Sequence, residues 1–557
     1  MSKLASAALA LGAWYLATAA SVHAQFPSSA ERTASAVLRD LVTARYNPSQ
    51  RWPKLVDVAP DLQTAYDSAG WMPLWSRDGQ PTAQARAAIA ELQAIETRGL
   101  DPADYDGARL QQRADAPGAR PLMTADAVAD FDVMLSSGTL RALRASRQGR
   151  VSAAAANVRL QAPEPPFRAA WALRAMAVSA NPSRLFDEAE PPYQHYQLLK
   201  QALARYRTLA RDTSLSPVPL KRPLHPDSAD GGVPQLRRLL VALGDLPLSA
   251  ARQNGLDSLR FDSVLVQSVQ VFQRRHGLVP DGIVGSATLA RINVPASARV
   301  AQIIVTLDRW RWLPHVFDAP PIFVNVPAFT LHAFTTVVDR EAEVLSMDVV
   351  VGRAYNHKTP LFSGTMERLV FSPYWDVPPS IARKELLPLA RRDADYLARN
   401  HYEILSTGEQ ALPTSALDAV AAGHARIRQR PGPDNALGGV KFAFPNAFNV
   451  YLHDTPAQTL FSRTRRDLSH GCIRLAEPVR LAQLVLRDQP EWDDVAIAEA
   501  MQHTAPRVVE LRTRVPVYVL YGTAVAREDG TVMFYDDIYG LDRSLSRLLA
   551  VGYPYPH

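Results

Sequence analysis

The apolar pattern of this chain changes near Pro321, and the change restricts the folds that the chain can adopt. Before this point apolar residues recur at the three- and four-residue spacing of amphipathic helices, as in residues 82–96. After it come short segments rich in β-branched and aromatic residues, such as 322–326 and 347–351. The 557 residues exceed one ordinary domain. We therefore expect a multidomain α+β protein, helical first and β-rich afterwards.

The first 24 residues have the pattern of an export signal. Lys3 supplies a positive charge, residues 4–20 are almost entirely apolar, and residues 22–24 end in small side chains. We expect cleavage before Gln25 and a periplasmic location. The alternative is an uncleaved inner-membrane anchor facing the periplasm, because the apolar stretch is only marginally long enough to span a bilayer.

Residues 25–219 are predicted to form a helical scaffold domain, with Trp71 and Trp75 in its core. The segment contains no recognisable catalytic motif. It ends in a stretch rich in Pro, Ser, Asp and Gly over residues 214–232, which is typical of a linker.

Residues 233–294 are predicted to form a compact helical unit. The run Val271-Phe272-Gln273-Arg274-Arg275-His276-Gly277-Leu278 is followed by Asp281-Gly282-Ile283-Val284-Gly285 and Thr288-Leu289. This pattern resembles the small three-helix peptidoglycan-binding domain of many cell-wall enzymes. The alternative is a generic three-helix module without a ligand.

A long insertion interrupts the β-rich region, which we place at residues 300–540. Within the insertion, at about 380–439, residues 380–389 and 391–400 are predicted to be short helices. Residues 423–439 are rich in Arg, Gly and Pro, as a mobile loop would be. An insertion of this length is typical of a lid over an active site, and the alternative is a surface excursion without function.

Cys472 is the only cysteine of the chain. An exported chain with one cysteine cannot form an internal disulfide, so the residue is either a buried inert thiol or a nucleophile. Its neighbours Ser469, His470, Gly471 and Arg474 are poor core formers, which favours a nucleophile.

Two histidines are candidates for activating this thiol: His470, two residues before it, and His453, nineteen residues before it. A histidine that closes a strand can meet a cysteine that follows a connecting loop, so we favour His453. A thiolate–imidazolium pair would lower the pKa of the thiol to about 3.5–7.5. Asp454 is the adjacent candidate for holding the ring, through its carbonyl or its side chain.

The loop around Cys472 offers further groups for catalysis. Backbone amides around His470 to Cys472 are candidates for an oxyanion hole, in a loop that includes Ser469, His470 and Gly471. Arg474 can bind a substrate carboxylate or hold the loop by bonding carbonyls, and this choice stays open.

Taken together, these residues resemble the L,D-transpeptidase catalytic domain, whose signature is a histidine, about fifteen residues, then Ser/Thr-His-Gly-Cys and a nearby Arg. Neighbouring segments resemble the large multidomain Gram-negative members, namely Trp310-Arg311-Trp312, residues 375–388 and Tyr451-Leu452-His453-Asp454. The resemblance implies Cys472 as nucleophile, His453 as base and Asp454 as the residue that orients the base through its backbone. It also places Tyr451 and Trp375 around the substrate pocket.

The resemblance implies two acyl transfers. Cys472 attacks the third residue of a tetrapeptide stem, a terminal D-Ala leaves, and the amine of a second stem resolves the thioester as a 3-3 crosslink. The expected partners are peptidoglycan stems and proteins of wall synthesis, the expected role is in wall biogenesis and cell shape, and a carbapenem is expected to acylate the thiol. No cofactor is implied.

Other functions remain open from sequence alone. These are an L,D-carboxypeptidase or other hydrolase, an enzyme that attaches a protein to the wall or exchanges D-amino acids, a non-catalytic wall-binding scaffold, and a cysteine peptidase of another fold. Against the last, papain-like peptidases place the cysteine before the histidine. The net charge of +6 is weakly informative, and no basic run is dense enough to indicate nucleic acid.

A zinc site is not indicated, because no helical His-x-x-x-His pattern accompanies the cysteine. Four other histidines of the second half are expected to be ordinary surface or loop residues, namely His332, His357, His401 and His424.

Overall fold

The structure, a computed structural model, describes residues 29–115, 122, 124–160, 166–250, 258–334, 343–407 and 415–556. The predicted export signal lies outside the described residues. The chain forms two compact units. One takes residues up to 94 together with 102–142 and 168–185, and the other takes 95–101, 143–167 and 186 onward. The segment predicted as a scaffold therefore contributes residues to both units.

The N-terminal part of the chain is helical, as its apolar spacing predicts. Its helices are α1 (Ser29–Ala44), α2 (Ala59–Asp67), α3 (Ala83–Gln93), α4 (Gly107–Ala114), α5 (Ala125–Gln148), α6 (Ala169–Val178), α7 (Pro182–Ala189) and α8 (Gln194–Arg211). Two short strands, β1 (Ser76–Arg77) and β2 (Gln80–Pro81), form a hairpin between α2 and α3.

A buried carboxylate organises the first unit. Asp132 accepts hydrogen bonds from the hydroxyl of Tyr66 at 2.7 Å and from the backbone amides of Leu74 at 2.9 Å and Trp75 at 2.8 Å. The indole of Trp75 donates to Ser136 at 2.9 Å. Burial raises the pKa of Asp132 to about 6. The site ties α2 and the loop after it to α5.

The compact helical module lies in the second unit and consists of three helices around one apolar core. They are α9 (Val233–Leu243), α10 (Ser263–Arg275) and α11 (Ser286–Ile292), followed by the longer α12 (Ala296–Trp310). Gly244 ends α9 with φ +82°, a conformation that suits glycine. Asp262 caps α10 by accepting from the amide of Leu265 at 2.9 Å.

The β-rich region is a sheet that closes on itself. Its strands are β3 (Ile322–Asn325), β4 (Thr330–Phe334), β5 (Glu343–Gly352), β6 (Phe362–Phe371), β10 (Val440–Ala443), β11 (Leu452–His453), β12 (Asp467–Ser469), β13 (Ile473–Leu475) and β14 (Arg507–Leu520). The order β5–β13–β11–β10–β6–β14–β3–β4 returns to β5, because β4 also pairs with β5. Buried aliphatic and aromatic side chains fill the interior, among them Val324, Val349 and Phe442.

The insertion between β6 and β10 contains a second, smaller sheet. Its elements are β7 (Trp375–Asp376), α13 (Pro379–Ile381), a π-helical turn (Ala382–Leu386), α14 (Leu387–Arg392), α15 (Tyr396–Arg399), β8 (Tyr402–Ser406), α16 (Ala416–Ala422) and β9 (Ala425–Gln429). β9 is the central strand of the order β7–β9–β8. The predicted short helices are present, whereas the expectation of a mobile loop from residue 423 is wrong for β9.

The C-terminal part covers the barrel with helices and adds a separate hairpin. Its elements are α17 (Pro478–Val485), α18 (Asp494–Ala500), β15 (Ala524–Ala526), β16 (Val532–Phe534) and α19 (Leu541–Ala550). Among the described residues, no helix combines the length and the apolar character that crossing a bilayer requires. The helical N-terminal region, the small helical module and the β-rich C-terminal region confirm the predicted multidomain α+β fold.

Candidate active site

The parallel pairing of β11 with β13 brings the two motif segments side by side. Leu452 lies opposite Ile473 and His453 lies opposite Arg474, with neighbouring strands about 4.8 Å apart. Leu452 and Ile473 are fully buried in the core of the barrel. Because side chains alternate along a strand, the flanking residues share the other face. These flanking residues are Tyr451, His453, Cys472 and Arg474.

The hydrogen bond of His453 fixes its tautomer. Nδ1 lies 2.5 Å from the carbonyl oxygen of Asp454. A carbonyl oxygen can only accept, so Nδ1 carries the proton and Nε2 is left with a lone pair. Burial, followed by the positive charges of Arg474 and Lys441, lowers the pKa of His453 to about 3. The ring is therefore a neutral base at any ordinary pH.

The side chain of Asp454 serves a different purpose from its carbonyl. One carboxylate oxygen accepts from the amide of Gly439 at 2.8 Å and the other from the amide of Thr455 at 2.7 Å. Gly438 has φ +61°, and a Cβ there would lie 2.3 Å from the Asp454 carboxylate. The carboxylate thus holds the chain that enters β10, while the backbone carbonyl holds the imidazole.

A tight turn presents Cys472. Gly471 has φ +123°, where a side chain would be strained. The hydroxyl of Ser469 accepts from the Gly471 amide at 3.1 Å and donates to the Cys472 carbonyl at 2.6 Å. Thr359 donates to the Gly471 carbonyl at 2.8 Å. The Gly471 amide is therefore bonded to Ser469 within the turn.

The sulfur of Cys472 lies against Tyr451. Both the backbone amide and the hydroxyl of Tyr451 act on the sulfur and lower the pKa of the thiol. Trp375, which lies on β7 of the insertion, acts in turn on the Tyr451 hydroxyl and lowers its pKa. The Cys472 thiol is 3.8 Å from the carbonyl oxygen of Asn449. The two aromatic residues predicted around the pocket therefore form a chain of contacts that ends at the thiol.

The pKa shifts of Cys472 and His453 disfavour the expected thiolate–imidazolium pair in the resting site. Burial raises the pKa of the Cys472 thiol, although Tyr451, Lys441 and Arg474 act in the opposite direction. His453 has the lowered pKa given above. Both groups are therefore neutral before substrate arrives, because a half-buried site with two neighbouring cations disfavours an imidazolium.

Arg474 belongs to the site face rather than to the loop backbone. Its Nε is buried without a hydrogen-bond partner among the described residues. Burial and the charge of Arg353 lower the pKa of Arg474, and Cys472 acts against them. A buried guanidinium nitrogen without a partner favours substrate binding over the bonding of loop carbonyls.

His470 contacts the insertion. Its Nε2 lies 2.6 Å from Oε1 of Glu385, in the π-helical turn. Its ring meets that of His357 edge-on, with centroids 4.9 Å apart. Burial, His470 and Arg353 lower the pKa of His357. His357 is a loop residue, as expected, but it lies beside the motif.

Sequence reasoning missed three residues of this site. Lys441, His357 and Glu385 reach it from segments that are 31, 115 and 87 residues away from Cys472 along the chain. Of the three, only Lys441 could have been noticed in the sequence, because it is the one charged residue in the apolar pattern of β10. Nothing in the sequence marks the other two. Within the described ranges, no group of histidine, cysteine and carboxylate side chains is arranged to hold a metal ion.

Three protein families match successive parts of the chain. Residues 60–203 match a scaffold domain, residues 230–292 match a family described as "Putative peptidoglycan binding domain", and residues 321–519 match the L,D-transpeptidase catalytic domain. The third range contains the whole β11–β13 site.

One curated relative and one solved structure resemble the chain over part of their length. A Haemophilus influenzae protein described as "Putative L,D-transpeptidase" is 28% identical over 248 residues, which are 44% of this chain and 49% of the relative. The chain thus spans about half of that relative. The structure of Bdellovibrio bacteriovorus Bd1075 is 14% identical, with a TM-score of 0.17, over 42% of this chain and 56% of the other. That likeness is too low to carry an argument.

The fold and the site define a β-rich catalytic domain built around one cysteine and one neutral histidine. Residues 321–519 belong to the L,D-transpeptidase catalytic domain family. The resemblance seen in the Ser469–Arg474 motif is confirmed, as are the accompanying scaffold and peptidoglycan-binding domains.

Proposed function

We propose that the protein is a peptidoglycan L,D-transpeptidase that forms 3-3 crosslinks through a thioester on Cys472. The observation that carries the proposal is the shared face of β11 and β13. There Cys472 adjoins Tyr451, and His453 has a free lone pair on Nε2. A nucleophile beside a base that a third group orients is the arrangement that acyl transfer requires.

The first half-reaction forms the thioester. The Sγ proton passes to Nε2 of His453 while sulfur attacks the carbonyl carbon of the stem's third residue, a diamino acid. The C–N bond to the terminal D-Ala then breaks, and His453 returns the proton to the departing amine. The amides of His470 and Cys472 are the proposed donors to the oxyanion, since Ser469 occupies that of Gly471.

The second half-reaction transfers the acyl group. The side-chain amine of a second stem's diamino acid attacks the thioester and loses a proton to His453. The C–S bond breaks, and the proton passes from His453 to the sulfur. The proposed role of Arg474 is to bind a stem carboxylate, and Tyr451 and Trp375 line the pocket.

The insertion favours transfer over hydrolysis. Trp375 and Glu385 reach the site from its small sheet and its π-helical turn. Such a cover would exclude water, the competing acceptor. An L,D-carboxypeptidase is the second candidate, since the same nucleophile and base would serve it. Attachment of a protein to the wall and a purely wall-binding role are further alternatives.

The domain order supports work on the cell wall. A peptidoglycan-binding domain precedes the catalytic domain, and we propose that the chain is exported to the periplasm and acts on peptidoglycan stems there. We also propose that a carbapenem acylates Cys472, which intact-protein mass spectrometry would detect as one adduct on that residue.

Product analysis tests the proposal. The purified protein is incubated with disaccharide-tetrapeptide, and products are separated by liquid chromatography with mass detection. We expect crosslinked dimer as the main product. Tripeptide without dimer would identify a hydrolase, and unchanged substrate with an intact thiol would favour a non-catalytic role.

A further inference from the structure

Lys441 lies on the site face of the barrel and has no part in the chemistry above. In the antiparallel pair of β10 and β11 it is directly opposite His453. Directly opposed side chains project from the same face of a sheet. Its neighbours Val440 and Phe442 point into the core and are fully buried. The register therefore places this lysine beside the histidine and cysteine pair.

The ammonium of Lys441 is held on the ring of Tyr451. Nζ lies 4.0 Å from the ring centroid, a distance at which a cation is attracted to the face of an aromatic ring. The hydroxyl of the same ring acts on the sulfur of Cys472 and favours its thiolate, because it lowers the pKa of the thiol. A single side chain thus separates the positive charge from the thiol.

Lys441 forms no ion pair with a carboxylate of the described residues. Asp376, the acidic group that acts on it, pairs with Arg426 at 3.3 Å. The titratable and charged groups facing Lys441 are Cys472, Asp376, Arg368, Tyr451 and His453, and Arg474 faces the same sulfur.

We propose that Lys441 is a charge-positioning residue of the Cys472 thiolate, whose negative charge its ammonium compensates through the ring of Tyr451. No proton moves to or from the lysine. The same charge adds to burial and to the charge of Arg474 in keeping His453 unprotonated before attack, so that Nε2 is available as the base. When the thioester breaks, Lys441 again stabilises the departing sulfur. The inference rests on the proposed function for its role in turnover, but not for its effect on the thiol.

The pH dependence of thiol alkylation tests the inference without a substrate. Full-length protein is treated with iodoacetamide between pH 6 and 10.5, and the adduct on the only cysteine is followed by intact mass. The variants are Lys441→Met, Lys441→Gln and Lys441→Arg. Lys221→Met, in the exposed segment before α9, is the control. Circular dichroism verifies that each variant is folded.

The charge-removing variants are expected to shift the alkylation profile toward higher pH. The alkylation rate at pH 7 should fall about tenfold. A positive charge a few ångströms from a thiol lowers the pKa of that thiol by about one unit or more, and the variants remove this charge. Lys441→Arg should restore most of the rate, and Lys221→Met should match the wild type. Two charge-removing variants are compared so that a packing defect in one does not decide the result. A wild-type profile in either folded variant overturns the inference.

Failure of this inference and failure of the proposed function give different results. If the wild type makes crosslinked dimer while the alkylation profiles coincide, only the role of Lys441 is wrong. If the profile shifts while no dimer forms, the lysine acts on the thiol as inferred and the transpeptidase proposal fails.

Discussion

The protonation states of Cys472 and His453 follow from where their side chains lie. Burial favours the thiol over the thiolate and the imidazole over the imidazolium. Arg474 and Lys441 add to the cost of an imidazolium and reduce that of a thiolate. In the proposed reaction, the proton transfer from Cys472 to His453 therefore accompanies attack on the substrate and does not start from a preformed ion pair.

The low pKa of His453 predicts the acid side of the activity profile. The residue stays neutral down to about pH 3, so kcat/KM should show no acid limb near the ordinary histidine value of about 6.5. Initial rates on a tetrapeptide substrate from pH 4.5 to 8 measure this. A limb with its midpoint between pH 6 and 7 that His453 alone explains would contradict the assignment.

The lowered pKa of His453 also makes the free energy of unfolding depend on pH. An unfolded His453 binds a proton below about pH 6.5, whereas the folded residue does so only near pH 3. Its contribution to the free energy of unfolding is thus complete above pH 6.5 and is lost as the pH falls toward 3.

The carbonyl and the carboxylate of Asp454 have separate roles, so a variant that changes only the carboxylate should lose little activity. Asp454→Asn keeps the backbone carbonyl that holds Nδ1 of His453, but it cannot accept from both Gly439 and Thr455. We expect kcat/KM to fall less than about tenfold. His453→Ala should cost about a hundredfold to ten-thousandfold, the usual range for a general base. Equal losses would show that the carboxylate itself orients the ring.

Cys472 and His453 can be recognised in the sequence as candidate site residues, whereas the groups that surround them cannot. Cys472 is unique and stands in a recognisable motif with His453 upstream. The role of the Asp454 carbonyl leaves no trace in sequence, because every residue has one. Lys441 enters the site through strand register, and Glu385 through the folding of a distant insertion.

At the level of elements, the insertion departs most from expectation. Its Arg- and Gly-rich end contains β9, in which Ala425, Ile427 and Gln429 are buried while Arg426 and Arg428 point outward. Five residues are too few to reveal this alternation against neighbouring glycines and prolines. The helices before it were predictable because their apolar periodicity extends over more residues.

The contact between Glu385 and His470 predicts how the insertion is held. Glu385→Gln removes a charge-assisted bond to the motif loop. We expect faster hydrogen exchange over residues 379–392 and a drop of a few-fold in kcat/KM. Glu499→Gln, on an exposed position of α18, is the matched control. Unchanged exchange in the Glu385 variant would show that the contact does not hold the insertion.

At the scale of the whole chain, the domains are predictable while their attachment is not. Arg275 of α10 donates to the carbonyl of Val532 in β16 at 2.9 Å and to Asp245 at 2.6 Å. The guanidinium of Arg299 lies 4.5 Å from the ring centroid of Phe534. The small helical module is thereby joined to the hairpin beyond the catalytic sheet. Motifs identify modules by local pattern, whereas the contacts of Arg275 with Val532 and of Arg299 with Phe534 join positions more than two hundred residues apart.

Breaking this attachment should be costly. Arg275→Met leaves Asp245 buried without its partner, and we expect a loss of about 3–5 kcal/mol in the unfolding free energy of the module. Arg260→Met removes an exposed pair with Asp227 and should cost less than about 1 kcal/mol. Denaturant unfolding followed by hydrogen exchange over residues 233–294 compares them. Equal effects would contradict a structural role for the buried pair.

In the proposed reaction, one thiol carries the acyl group between two stems. Purified full-length protein and its Cys472→Ala variant are incubated with disaccharide-tetrapeptide, and products and protein are both analysed by mass spectrometry. We expect 3-3 crosslinked dimer, released D-Ala and an acyl adduct on Cys472 for the wild type, and none of these for the folded variant. Crosslinked dimer formed by Cys472→Ala at the wild-type rate would contradict it.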